Sequence, residues 1–164
     1  GKSVLANSLK EKKGWPIINL FDDKDKGFLE DIEIKVETYH EDIYFLDIWE
    51  QIGFDCIKDR GLLSGVVYEE VEIEKANMAL MHWLEIARRN KDEFKVVYFE
   101  ADDETIIERD KEWEGREGRL DELRYKYERV LKYVIRGGID LKRIKTDSKG
   151  VESVYKEVKK WIGG

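Results

Sequence analysis

The 164 residues carry a formal net charge of −7, with 41% charged side chains, one proline and one cysteine, and the length suits a single domain over 1–164. The lone Cys56 excludes an internal disulfide and a cysteine-based metal cluster and points to a reducing compartment. With no run of ~18 apolar residues and no signal-peptide pattern, the expectation is a soluble, cytoplasmic chain without membrane contact.

Gly1-Lys2-Ser3 opens the chain and runs into a helical pattern over 2–13, with Val4, Leu5 and Leu9 on one face and Gly14 as its stop. Gly-Lys-Ser before a helix is the second half of a phosphate-binding loop, in which backbone N–H groups and the lysine hold phosphates and the hydroxyl binds Mg2+. It is equally the start of an ordinary amphipathic helix. Residues 15–21 read as a strand that tolerates Pro16 at its start. Residues 22–31 read as a solvated loop whose acids lack calcium-loop spacing. From 39 to 52 the pattern is helical, with Ile43, Leu46 and Trp49 or Glu50 recurring, and Tyr44, Phe45 and Ile48 widen the apolar stripe. That surplus aromatic face suits a pocket that stacks a planar ligand, or plain core packing.

Phe54 to Lys58 reads as a buried parallel strand with Cys56 a buried thiol, delivering Asp59 and Arg60 to the carboxyl end of the sheet, where open α/β folds bind ligands. The plain alternative is a polar strand end. Gly61 then turns the chain into a small-residue segment. Residues 72–89 form the clearest helix, with Ile73, Ala76, Leu80, Trp83, Leu84 and Ala87 on one side and His82 off it as a surface histidine. A second buried strand spans 95–99, followed by a helix over 103–113 with an acidic first turn. Glu114-Gly115-Arg116-Glu117-Gly118-Arg119 then breaks the pattern. With Arg109 and Lys111 upstream, it reads as a mobile basic lid, about 109–119, that closes over phosphates, or as a solvated inter-helix loop. Residues 120–134 form a helix with Leu123, Tyr127, Val130, Leu131 and Val134 inward, closed by Arg136-Gly137-Gly138. A third strand over 139–144 leads through Thr146-Asp147-Ser148 into a last helix with Val151, Val154, Val158 and Trp161 on its face. Strands alternating with helices of this length imply a parallel sheet covered on both faces.

Charge is uneven along the chain. Residues 22–50 hold eleven acids against Lys24, Lys26 and Lys35, a balance of −8, whereas 109–149 hold thirteen bases against nine acids, a balance of +4. So acidic a front half argues against general nucleic-acid binding, which needs a basic footprint.

Taken in register, these pieces resemble the thymidylate kinase group of P-loop nucleoside and nucleotide kinases over nearly the whole chain. Gly1-Lys2-Ser3 resembles the end of the group's phosphate loop. Asp59-Arg60 with Ser64 and Tyr68 resembles its Asp-Arg motif and the stretch after it. Val96 to Ala101 with Ile106, Ile107, Glu108 and Arg109 resembles the strand and helix before the lid, and Arg116 and Arg119 fall in the lid. Thr146-Asp147-Ser148 resembles the loop beside the adenine.

The resemblance implies a three-layer α/β/α P-loop fold with a parallel sheet. It implies transfer of a phosphoryl group from ATP, with Mg2+, to a deoxynucleoside monophosphate, thymidylate first. A nucleoside or other small-molecule kinase of the same fold is the alternative, and a non-catalytic ATP-binding domain is the rival from another class. It further implies catalytic roles for Lys2, Asp59, Arg60, Arg116 and Arg119, and nucleotide contacts from Gly1, Lys2, Ser3, Arg109, Thr146 and Asp147. Acceptor contacts would come from Phe45, Trp49, Arg60 and Tyr68, and metal contacts from Ser3 and Asp59. Members of the group are often homodimers, and the apolar faces of 39–52 and 72–89 offer an interface as readily as a core.

Departures from the group shape the expectations. The first strand and the front of the phosphate loop do not occur in these residues, so the expectation is that the sequence continues before Gly1 or that something else fills the slot. The strands 54–58 and 95–99 should then stand about 9 to 10 Å apart, one strand removed, instead of pairing directly. No arginine follows Phe21 or lies in 45–49, where the group grips the acceptor phosphate, which raises the prospect of a neutral nucleoside acceptor. Glu69 stands where the group often has an amide, so base preference is not inherited.

Overall fold

A computed structural model of the chain describes residues 2–18, 37–58, 61–68 and 73–163, with the backbone alone for 2, 3, 18, 37–42, 44 and 73–76. Expectations for Gly1, for the loop 22–31, for Asp59 and Arg60 and for Glu69 lie outside the described residues. In chain order the elements are α1 (Lys2–Lys13), β1 (Ile17–Ile18), α2 (Glu37–Ile52), β2 (Ile57–Lys58), α3 (Leu62–Tyr68), α4 (Ile73–Arg89), β3 (Lys95–Glu100), α5 (Asp103–Arg109), a 3-10 turn (Lys111–Trp113), α6 (Glu117–Arg136), β4 (Asp140–Lys145) and α7 (Val151–Trp161). None of the described helices is long and apolar enough to cross a membrane.

β1 pairs with β2, and β3 with β4, both in parallel. Among the described residues β2 and β3 do not pair with each other, so the direct pairing that would exclude the expected topology does not occur there. Alternation along β3 sends Val96 to one apolar cluster and Val97 and Phe99 to another. The first cluster gathers Leu46 of α2, Leu62 and Val67 of α3, Trp83 and Ile86 of α4, and Val130 and Val134 of α6. The second gathers Leu5 and Leu9 of α1, Ile144 of β4, and Val154 and Val158 of α7, with Ile57 of β2 packed against it. Helices therefore cover both faces of the β3 and β4 pair, and the chain is a helix-rich α/β protein with parallel strands. Val67, Ile86 and Val134 are fully buried, and each such side chain stabilises the fold by about 1.5–3 kcal/mol.

Several local expectations change. β3 is half-buried along its whole length, not the buried strand its apolar run suggests. One of its edges has no strand neighbour among the described residues. The strand expected over 54–58 shrinks to Ile57–Lys58, where the ladder with Ile17 and Ile18 begins, and the Phe54 carbonyl accepts a hydrogen bond from the Trp49 indole of α2 at 2.9 Å. Cys56 is accordingly half-buried, although burial still pushes its thiol up. Residues 62–68 are helical, with the Gly61 carbonyl accepting from the N–H groups of Ser64 at 2.8 Å and Gly65 at 3.1 Å. Val4 and Val151, expected inward, are exposed, and Ala6 and Tyr155 take the inward places. The helix expected over 103–113 ends at Arg109, and a 3-10 turn takes Lys111–Trp113. Asp110 caps the 3-10 turn, accepting from the Glu112 N–H at 3.1 Å, Gly115 turns the chain at φ 75°, and Arg116 is the N-cap of α6.

Candidate functional site

Parallel strands present their carboxyl ends on one side, and ligands of open α/β folds bind there. At that end of β3 and β4 Asp102, Arg109, Thr146 and Asp147 come together. Glu100 ends β3 opposite Lys145, which ends β4. The next residue, Thr146, is buried at 8% exposure, donating its N–H to the Glu100 carbonyl at 2.9 Å and its hydroxyl to the same oxygen at 3.1 Å. The Asp147 carboxylate accepts the Asp102 N–H at 2.7 Å. Asp102 in turn caps α5, accepting from the Thr105 N–H at 2.8 Å, and that hydrogen bond holds its carboxyl below the usual range. Arg109, the last residue of α5, donates to the Thr146 hydroxyl at 3.0 Å and to its carbonyl at 2.7 Å. From the α6 side, Arg124 donates to the Ala101 carbonyl at 3.0 Å and pairs with Asp103, which raises its guanidinium further.

Beside this cluster a row of phenols links three elements. Tyr68 meets the ring of Tyr127 edge-on at 6.0 Å, and Tyr127 meets Tyr98 of β3 at 5.2 Å. The Tyr127 hydroxyl bonds the Ser64 Oγ at 3.3 Å. Arg143 lies over the Tyr98 ring at 5.5 Å and pairs with Glu100 and Glu128, which closes the row on the β4 side. Tyr68, 47% exposed, is the open end of the row, so a flat ligand could reach it.

Of the residues singled out in the sequence, Arg109, Thr146 and Asp147 come together in one cluster. Tyr68 sits in the phenol row. Phe45 and Trp49 lie elsewhere, on α2: the Phe45 ring meets Phe54 edge-on at 6.3 Å and carries the Lys58 ammonium at 4.8 Å, while Trp49 meets Phe94 at 5.8 Å. Arg119 pairs with Glu122 at 3.0 Å along α6. The exposed Arg116 guanidinium has no hydrogen-bond or ion-pair partner among the described residues. The side chains of Lys2 and Ser3, and all of Gly1, Asp59 and Arg60, lie outside the described residues.

The setting of α1 bears on the expected phosphate loop. Lys12, in its last turn, meets Glu152 at 3.4 Å and the Tyr155 ring at 4.0 Å, both in the first turns of α7. A phosphate loop would present the first turn of its helix to the strand ends. Here the last turn adjoins the start of α7, and the first turn lies about 15 Å further along the helix. Asp102, Tyr98, Arg124 and Tyr127 are site residues that the sequence reading did not single out. Asp102 alone carried a signal, an acid three residues before Thr105 at a helix start.

No family model matches the chain, and no curated protein matches it. Among solved structures, it is similar to the YorR protein of Bacillus subtilis, determined in complex with phosphorylated GDP. The two share 20% identity over 98% of this chain and 88% of the other, with a TM-score of 0.68. That likeness is one of fold.

Proposed function

We propose that the chain is a nucleotide kinase that transfers the γ-phosphoryl group of ATP to a deoxynucleoside monophosphate, with thymidylate as the first acceptor to test. The observation that carries the reading is the cluster of Asp102, Arg109, Thr146 and Asp147 at the carboxyl ends of parallel strands, in a fold like that of a protein seen with a phosphorylated guanine nucleotide. In such a transfer an acceptor phosphate oxygen bonds the γ-phosphorus as its bond to the bridging oxygen breaks, and ADP leaves. The protein's share is positioning and charge balance.

Loop 146–150 would line the donor base. Arg116, uncommitted at the start of α6, would swing over the moving phosphoryl group, assisted by Arg119. Lys2 would neutralise donor phosphates, and Asp59 and Arg60 would orient and hold the acceptor beside Tyr68, with Phe45 and Trp49 behind. Mg2+ would be held by the Ser3 hydroxyl and Asp59. No group of three or more metal-binding side chains occurs among the described residues, and a hydroxyl with one carboxylate suits an ion that binds chiefly through phosphates and water. The ion would supply charge neutralisation at the transferring oxygens.

The finer fold belongs to the same proposal. A further parallel strand between β2 and β3 would complete a three-layer P-loop sheet, since Ile57 and Val97 already share one apolar cluster. A structure with β2 and β3 hydrogen-bonded to each other would remove it. A homodimer through α4, where Met78 and Met81 are exposed, would show as a doubled mass in sedimentation, and a monomer at all concentrations would discard it.

The contact of Lys12 with Glu152, which sets the last turn of α1 beside the start of α7, favours a second reading, a nucleotide-binding domain without transfer. Radiolabelled ATP with Mg2+ against thymidylate, guanine nucleotides and free nucleosides separates the two. Transfer to one acceptor class supports the kinase. Binding of ATP without transfer to any of them leaves the second reading.

A further inference from the structure

The geometry points to Arg109 as a positioning residue, a latch that clamps loop 146–150 to the base of the lid, and not as a ligand of the donor phosphates. One N–H from each terminal nitrogen of its guanidinium is already held by the two Thr146 oxygens, at 3.0 and 2.7 Å, across 37 residues of sequence. Thr146 is itself nearly buried and tied twice to the Glu100 carbonyl. The Asp147 carboxylate returns the link by accepting the Asp102 N–H at 2.7 Å. The end of β3, the whole of α5 and loop 146–150 are thus stitched into one block, and Arg109 is the cross-piece that reaches over the gap. An arginine drawn off to a phosphate would strip a nearly buried hydroxyl and carbonyl of charge-assisted partners. The moving part of the lid therefore begins beyond Asp110, where Gly115 turns the chain at φ 75°, and Arg116 is the guanidinium that travels.

Amide hydrogen exchange of the full chain tests the latch without any nucleotide. Arg109→Ala is expected to speed exchange at Asp102 and Thr146 by roughly tenfold or more while Val96 to Phe99 keep their protection. Arg109→Lys should recover little of this, because one ammonium cannot reproduce a planar fork. Exchange at both amides within about twofold of wild type in Arg109→Ala, or full recovery by lysine, overturns the proposal. Should Arg109→Ala fail to fold, Asp147→Ala decides: the latch predicts faster exchange at Asp102 with Thr146 still protected, and equal acceleration at both contradicts it.

A kinetic arm rests on the kinase reading. There the latch predicts that Arg109→Ala raises the KM for ATP about tenfold, with a smaller fall in kcat. A kcat loss of about a hundredfold at unchanged KM would make Arg109 a transition-state ligand and overturn the latch. Absence of any transfer by the wild type would remove the kinase reading alone, and the exchange arms would still decide the latch.

Discussion

Tyr127 of α6 bonds Ser64 of α3 through its phenolic oxygen, at 3.3 Å, and the bond ties the helix after Gly61 to the helix that starts at Glu117. Tyr127→Phe removes it and should cost about 0.5–1.5 kcal/mol in urea unfolding. Burial pushes the Tyr127 phenol well above its ordinary value of 10. The unfolded chain therefore loses this proton first, and stability falls as pH rises past 10. Tyr127→Phe should flatten that alkaline decline, and an unchanged decline would mean that the phenol is not held as described.

A second pH dependence lies at the acid end. Glu50 on α2 accepts from Arg89 at 2.9 and 2.8 Å and from Asn90 at 2.7 Å. Arg89 first, then Asn90, hold its carboxyl at about 2, below the ordinary 4.5. The stabilisation is full above 4.5 and is lost as pH falls through about 2. Unfolding curves of wild type and Glu50→Gln should differ at neutral pH and converge below that window. Parallel curves across the whole range would contradict it.

The packing of α3 gives a third test. Leu62→Ala, at a site 1% exposed, should cost about 2–5 kcal/mol in denaturant unfolding. A cost below about 1 kcal/mol would mean that α3 does not sit on the core as described.

What the sequence made legible follows its periodicity. The inward faces of α4 and α6, with Leu80, Trp83, Leu84 and Ala87 and with Leu123, Val130, Leu131 and Val134, match because long helices repeat the pattern several times. α3 spans only Leu62–Tyr68, follows Gly61, which reads as a turn, and contains Gly65, so its helix is hidden in the sequence. Val4 and Val151 fail for a related reason, since a first turn has no earlier turn to fix its phase. The site was legible only in part. Arg109, Thr146 and Asp147 were singled out by resemblance, but the fork between Arg109 and Thr146 is a contact between distant segments that no local pattern encodes. Tyr98 and Tyr127 look like core residues in a strand and a helix, and only the fold brings their rings together.

Arg116 and Arg119 are expected to separate in their effects. On the proposed kinase reading, Arg116→Ala should lower kcat by roughly two to three orders of magnitude, as loss of a charge that acts on the transferring group does. Arg119→Ala should do less, because Arg119 is paired with Glu122 at 3.0 Å. If Arg116→Ala alters ATP affinity alone, the binding domain without transfer is the better description.

The most direct test of nucleotide binding at the strand ends is a backbone-amide NMR titration of the chain with ATP and Mg2+. The account predicts saturable shifts at Ala101, Thr146 and Asp147, extending to Arg116. Shifts confined to other surfaces, or no saturable change at these amides, would contradict it.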